Sequence, residues 1–379
     1  MAKSNRKGKV YGDNLPIVAF CYDFDKTLSP KDMQNFGLIP KLGCEIDEFW
    51  HQSDELAHHN GMDKILSYMK LIIDKARLAD ISIKRADFVE LGKSIELFPG
   101  VDSWFDRINK IAEEIGVHVE HYIISAGIKE IIEGTSIAKY FTEIYASSFL
   151  YDESGAPVWP SQVVNYTTKT QHLYRISKDC LDLSDEESVN EHIDDEARRI
   201  PFRNFVYFGD SETDIPAMRI VKKGGGVAIG VYNAETVDMR KVSKLLKQDR
   251  INFLMPAVYQ EGSKIENLVE SILKKIKATE NLTALTKQQD EYVTKWENYG
   301  SLVEYTESLL ENEEFSEEDI ESYRAQARQS LNQLRKDMLR EFSGMVEPDE
   351  LKRLFKERRK SLMKIFTDKL KEIKSKDEN

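Results

Sequence analysis

The chain has 379 residues, enough for two or three domains with substantial buried cores. Charged residues make up 32% of it and the formal net charge is −12, which suits a soluble protein and speaks against general electrostatic attraction to nucleic acid or an anionic membrane surface. Its three cysteines, Cys21, Cys44 and Cys180, show no paired spacing, so neither a disulfide framework nor a zinc site is indicated and a reducing cytoplasm is the expected setting.

Residues 1–14 are polar and without periodicity, and are expected to form a loose arm. The apolar run that follows, 15–22, is cut short by Asp23 and Asp25 and lacks a small-residue cleavage site. Neither a signal peptide nor a membrane span is therefore expected. Residues 17–22 instead read as a buried strand, β-branched and aromatic, ending in two carboxylates one residue apart and then Thr27. At the carboxyl end of a central parallel strand such side chains face the crevice where open α/β sheets bind ligands. There Asp23 could serve as nucleophile, Asp25 could handle a leaving-group proton, and Thr27 could hold a phosphoryl oxygen. Turn acids after an apolar run give the same short pattern, so its meaning depends on what lies downstream.

Residues 30–97 change to helical spacing, with Trp50, Leu56, Ile65, Leu66, Met69, Ile72 and Ile73 among charged residues and histidines, and read as an inserted helical domain. Phe98-Pro99-Gly100 marks the return, and Val101, Phe105, Ile108 and Ile111 give one face of a helix. Residues 121–127 form a second apolar run, ending at Ser125 and Gly127, before a short helix. Residues 143–147 read as a third strand, and the turn signal 152–155 joins two short strands that end near Val163 and Val164. Thr168 and Lys169 open a helix. The acid-rich stretch 180–200 lacks the glycine and spacing of a calcium loop and reads as a solvated loop or helix. Residues 205–209 form a strand with Asp210 at its tip and Asp214 four residues on. Gly224-Gly225-Gly226 turns into a further strand, 227–231, with no P-loop sequence behind it.

From Ile265 the chain reads as helix to its end, with breaks near 311–316 and 343–348. Ser316 with Asp319 looks like a capping start, and Pro348 suits a first helical turn. The last helix carries an apolar stripe including Leu362, Phe366 and Leu370, opposite a basic face with Lys352, Lys356, Lys360 and Lys364. A solvated bundle face is the ordinary meaning of such charge, with a membrane surface or an acidic partner as the alternative.

Four of these sites, in this order, resemble the motifs of the haloacid dehalogenase (HAD) superfamily of aspartate-nucleophile phosphohydrolases. Asp23-Phe24-Asp25-Lys26-Thr27 resembles motif I, Ser125 motif II, Lys169 (or, failing it, Lys178) motif III, and Gly209-Asp210 with Asp214 motif IV. The resemblance covers about 15–260. It implies an α/β, Rossmann-like core with a parallel sheet (15–29 and 98–260), a helical C1 cap at 30–97 placed as in phosphoserine-phosphatase-like members, and a C-terminal helical extension, 261–379, outside the family pattern. It further implies catalysis by Asp23 and Asp25, phosphate binding by Thr27, Ser125 and Lys169, and Mg2+ held by Asp23, Asp25 (through its main-chain carbonyl), Asp210 and Asp214. The expected activity is hydrolysis of a small phosphorylated metabolite through an aspartyl phosphate. The alternatives are phosphotransfer of the mutase kind, or a scaffold acting through its C-terminal helices. Lys26 departs from the small residue that many relatives carry and is expected to point to solvent. The full Asp-Lys-Thr-Gly-Thr pattern of ion-pumping ATPases is missing. The C-terminal helices are expected to pack on the core or to join copies of the protein.

Overall fold

The computed structural model describes residues 15–236, 239–312, 315–341 and 347–377; the expected N-terminal arm, 1–14, lies outside them. The chain divides into two compact units, residues 1–278 and 279–379.

The first unit is built on a seven-stranded sheet of order β4-β3-β2-β1-β5-β6-β7. The strands are β1 (Ile17–Tyr22), β2 (His118–Ile128), β3 (Phe141–Tyr151), β4 (Pro157–Gln162), β5 (Phe205–Gly209), β6 (Val227–Tyr232) and β7 (Phe253–Pro256). All neighbours are parallel except β3 and β4, which form an antiparallel hairpin at one edge. Pro157 and Pro160 sit on that edge strand, where a missing amide donor costs little. The turn before it is set by Asp152, whose carboxylate accepts from the amides of Ser154 (2.9 Å) and Ala156 (3.0 Å).

β1, β5 and β6 are continuous apolar runs because both faces of the sheet are covered. Alternation along β1 divides the core in two: Val18, Phe20 and Tyr22 pack in one layer, Ala19 and Cys21 in the other. Between the strands run the cap helices α1 (Leu38–Lys41), α2 (Ile46–Asn60), α3 (Lys64–Leu78) and α4 (Arg85–Gly92), then α5 (Val101–Ile115), α6 (Lys129–Glu133), α7 (Thr168–Lys178), α8 (Glu186–Asn190), α9 (Ile215–Lys223) and α10 (Met239–Lys247). Helix α5 covers the first layer with Val101, Trp104, Phe105 and Ile108, while Leu173 and Ile176 of α7 and Met218 and Val221 of α9 cover the second. β7 and α10 were not expected from the sequence; β7 is a four-residue edge strand ending in proline, too short to show an alternation.

The cap insert shares the first core layer through Met33, Leu38, Phe49, Met69, Ile72 and Phe88. Its α4 meets α6 backbone to backbone. A Cβ at Gly92 would strike the Ile131 carbonyl oxygen and come within 2.6 Å of Gly134 Cα, and a Cβ at Gly134 would strike the Val89 carbonyl oxygen. Gly134→Ala is accordingly expected to lower stability by about 1–3 kcal/mol through overpacking, measured by urea unfolding. An unchanged midpoint would mean that the two backbones can part without loss.

Three long helices follow: α11 (Lys264–Asn312), α12 (Glu317–Glu341) and α13 (Pro348–Asp377). The first turns of α11 belong to the first unit. Ile265, Val269, Ile272, Leu273 and Ile276 are buried in its main core layer, so the unit reaches beyond the expected boundary at residue 260. In the second unit Ile320, Ala327, Leu331 and Met338 of α12 pack on Phe355, Leu362, Phe366 and Leu370 of α13. Lys374 near the end of α13 pairs with Glu317 at the start of α12 (2.7 Å), which makes the two antiparallel. Ser316 and Asp319 exchange reciprocal hydrogen bonds of 3.1 Å at the start of α12. No helix among the described residues is long and apolar enough to cross a membrane.

Candidate active site

β1 lies at the centre of the sheet, with β2 on one side and β5 on the other, so the strand order reverses there, the position beyond whose carboxyl ends open α/β sheets bind ligands. Tyr22 is in register with both Ile123 and Phe208. The chain segments just past these three residues carry Asp23, Ser125 and Asp210.

Asp23 extends the pairing by one step, its amide donating to Phe208 O (2.9 Å), and its own carboxylate accepts from the Phe24 amide (2.8 Å). The chain then doubles back. The amides of Thr27, Leu28 and Ser29 all point to Phe24 O, at 3.3, 2.8 and 3.2 Å, and Lys26 takes the left-handed conformation (φ 57°) at the apex of the loop. Thr27 is fully buried, yet its Oγ1 has no hydrogen-bond partner among the described residues. Asp25 accepts from the Met33 amide at the start of the cap (2.8 Å). Ser125 is buried at the end of β2, where its Oγ accepts from the Gly127 amide (3.2 Å).

Lys169 enters from the first turn of α7. Fully buried, its Nζ lies 2.7 Å from Asp214 Oδ1 and 3.1 Å from Asp23 Oδ2. Asp214 is held on further sides by the hydroxyl of Tyr207 (2.8 Å) and by the Ser211 amide (3.3 Å). Lys178, at the other end of α7, is turned away and donates to the carbonyls of Val189 and Glu191. Lys26 pairs with Asp32 at 2.8 Å with its side chain half exposed. In the cap, Phe49 is core, Trp50 donates to Asn35 (3.0 Å), and His51, His58 and His59 are exposed.

Carboxylate oxygens of Asp23, Asp210 and Asp214 lie within 4.8 Å of one another. Their electrostatics follow from crowding in a dry place. Burial pushes the Asp23 carboxyl up to about 6, Lys169 opposing and Asp214 adding to the rise. Burial also raises Asp210, with Asp214 and Asp23 contributing, and raises Asp25, with Asp32 and Asp23 contributing. The Lys169 ammonium, although desolvated, is held above its ordinary value by Asp214 and Asp23. One lysine among these carboxylates leaves an excess of buried negative charge. A hard divalent cation with oxygen ligands fits that donor set.

The motif residues expected from the sequence thus gather at one end of the sheet, with Lys169 rather than Lys178 at the carboxylates. Tyr207 and Ser211, which hold Asp214, and Tyr68 of α3, whose hydroxyl donates to Ala126 O (2.7 Å), carried no signal in the sequence. Alternation could have pointed Tyr207 to the Asp214 side of β5, but not to that partner.

An uncharacterized protein of Borreliella burgdorferi (strain B31) is 26% identical over 281 residues, covering 67% of this chain and 95% of that protein. Among solved structures, a HAD family hydrolase of Salmonella enterica serovar Typhi is similar with a TM-score of 0.43 and 14% identity, over 64% of this chain and 68% of that one. A substrate-bound phosphoserine phosphatase is similar with a TM-score of 0.43 and 11% identity, over 68% of this chain and 99% of that one. Residues 20–219 match the family described as haloacid dehalogenase-like hydrolases, and since that span is more than half of the chain, this protein belongs to that family.

Proposed function

We propose that this protein is a Mg2+-dependent phosphomonoester hydrolase that acts on a small phosphorylated metabolite through an aspartyl phosphate on Asp23. The observation that carries the reading is the placement of Asp23 at the tip of the central strand, gripped by Lys169 and within 4.8 Å of two further carboxylates.

Asp23 attacks phosphorus in line, the bond to the leaving oxygen breaks, and Asp25 delivers a proton to that oxygen. The burial that raises Asp25 keeps a proton available for this step. In the second step Asp25 takes a proton from water as it attacks the acyl phosphate, releasing phosphate and restoring Asp23. Thr27 offers an unused hydroxyl, and with Ser125 and Lys169 it would hold the phosphoryl oxygens. Asp23 and Asp210, with the main-chain carbonyl of Asp25, would hold the cation, with Asp214 behind them. Mg2+ bound there would neutralise charge on the transferring group. Cys21, Cys44 and Cys180 are all free thiols, which supports a reducing, cytoplasmic setting.

The test is a screen of phosphomonoesters with and without Mg2+, scored by inorganic phosphate released without an added acceptor. No release from any of them would overturn the reading. A thermal measurement accompanies it. In the metal-free protein the folded-state value of Asp23, about 6, lies above its ordinary 3.8, so the folded state binds more protons in that window and stability falls as pH rises through it. Mg2+ relieves this repulsion only where the carboxylates are ionised. The Mg2+-induced rise in thermal midpoint should therefore be larger near about pH 7.5 than near about pH 5. An equal rise at both would contradict cation binding at these carboxylates.

A further inference from the structure

The loop that carries Thr27 is held from outside the region shared with the family. Tyr259, beyond residue 219 and fully buried, donates its hydroxyl to the main-chain carbonyl of Thr27 at 2.8 Å. The next carbonyl, Leu28 O, accepts from the Phe98 amide at 2.9 Å. Both carbonyls of the turn are therefore tied down, while the Thr27 hydroxyl is left without a partner among the described residues.

Tyr259 is itself fixed at its backbone. Its amide donates to Pro99 O (2.8 Å) and its carbonyl accepts from the Arg107 guanidinium. Arg107 also pairs with Glu266 (2.7 Å), whose other oxygen accepts from the Gly262 amide (2.8 Å) at the start of α11. Gly100, in the left-handed conformation (φ 86°), lets the two backbones touch: a Cβ there would lie 2.5 Å from the Tyr259 carbonyl carbon and the Gln260 nitrogen. The Trp104 ring abuts the phenol edge-on at 5.1 Å. A side chain clamped at its backbone and braced along its ring has little freedom except to place its hydroxyl.

We infer that Tyr259 is a positioning residue for phosphoryl transfer, its hydroxyl fixing the Thr27 peptide and with it the place of the Thr27 hydroxyl, which has no partner among the described residues. This rests on the hydrolase reading above for its chemical meaning, though not for its geometry. Without that donor the Thr27 carbonyl is a buried acceptor left unsatisfied. The hydrogen bond from the Leu28 amide to Phe24 O (2.8 Å) remains to hold that peptide, and the peptide can tilt about it to find a donor. The Thr27 hydroxyl would turn with it, and small misplacements of this kind cost rate more than binding.

The experiment uses the full chain and the isosteric Tyr259→Phe, with Val269→Ala, a truncation in the same core away from the loop, as a stability control. In Tyr259→Phe, kcat for the best substrate should fall about tenfold with KM changed less than about twofold. Amide exchange should rise in the peptide containing residues 24–29 and not in β2 or β5. Val269→Ala should lower the thermal midpoint while keeping kcat. Wild-type kcat and loop exchange in Tyr259→Phe would overturn the inference, and so would an equal loss of kcat in Val269→Ala. If the wild type released no phosphate from any ester, the hydrolase reading would fall. The exchange measurement would then decide this inference alone, with unchanged exchange over 24–29 against it.

Discussion

On the proposed mechanism, Asp23→Asn should reduce Mg2+-dependent phosphate release at least about a thousandfold, because loss of the attacking group would remove the covalent route and not one stabilising contact within it. The fold should survive. The amide is nearly isosteric, it removes a charge that burial already disfavours, and Lys169 keeps Asp214 at 2.7 Å. Initial rates with an aryl phosphate, beside circular dichroism and a thermal midpoint, make the check. Near-normal turnover in a folded Asp23→Asn protein would remove Asp23 from the nucleophile's role.

Asp214→Ala should act mainly on stability, and Asp210→Ala mainly on the cation. Asp214 is fully buried and satisfies Lys169, Tyr207 and Ser211 together. Its removal leaves a buried ammonium with Asp23 as its carboxylate partner and a buried phenol without its acceptor. Breaking a buried pair in this way costs about 3–5 kcal/mol. Among the described residues no such set of donors holds Asp210, so Asp210→Ala should stay folded and bind Mg2+ more weakly than folded Asp214→Ala does. Urea unfolding and Mg2+ titrations of both variants separate the two effects. Wild-type Mg2+ affinity in Asp210→Ala would remove Asp210 from the cation site.

The residues that gather at the site were legible wherever chemistry coincides with a strand end. An apolar run that stops abruptly at Asp23 and Asp25, or at Asp210, is visible locally because the side chains change from apolar to acidic within two residues. The sheet order was not visible, since the neighbours of β1 begin at His118 and Phe205, far along the chain. Lys169 and Lys178 could not be separated by composition. They lie at opposite ends of one helix, and only the packing of α7 sends the first toward Asp23 and leaves the second on backbone carbonyls. The extent of the first unit was hidden for a related reason. The apolar stripe of α11 does not say which body it packs against, and Ile265 to Ile276 turn out to be buried in the core of the first unit. Tyr259 illustrates the limit: its hydroxyl meets Thr27 across the fold, and no short window contains both.

The bare contact of Gly92 with Gly134 also bears on how the site can be reached. Where two backbones meet without side chains between them there is no lubricating layer of rotamers, so α4 can neither slide along α6 nor tilt far from it. α3 also makes hydrogen bonds near the site, from the Tyr68 hydroxyl to Ala126 O and, at its N-cap, from Asn165 Nδ2 to the Asp63 carboxylate (2.9 Å). The insert is thus pinned by bare backbone at α4 and by the packing of Met69 and Ile72, besides these hydrogen bonds, at α3. A path to Asp23 that required α4 to shift along α6 would have to break that backbone contact.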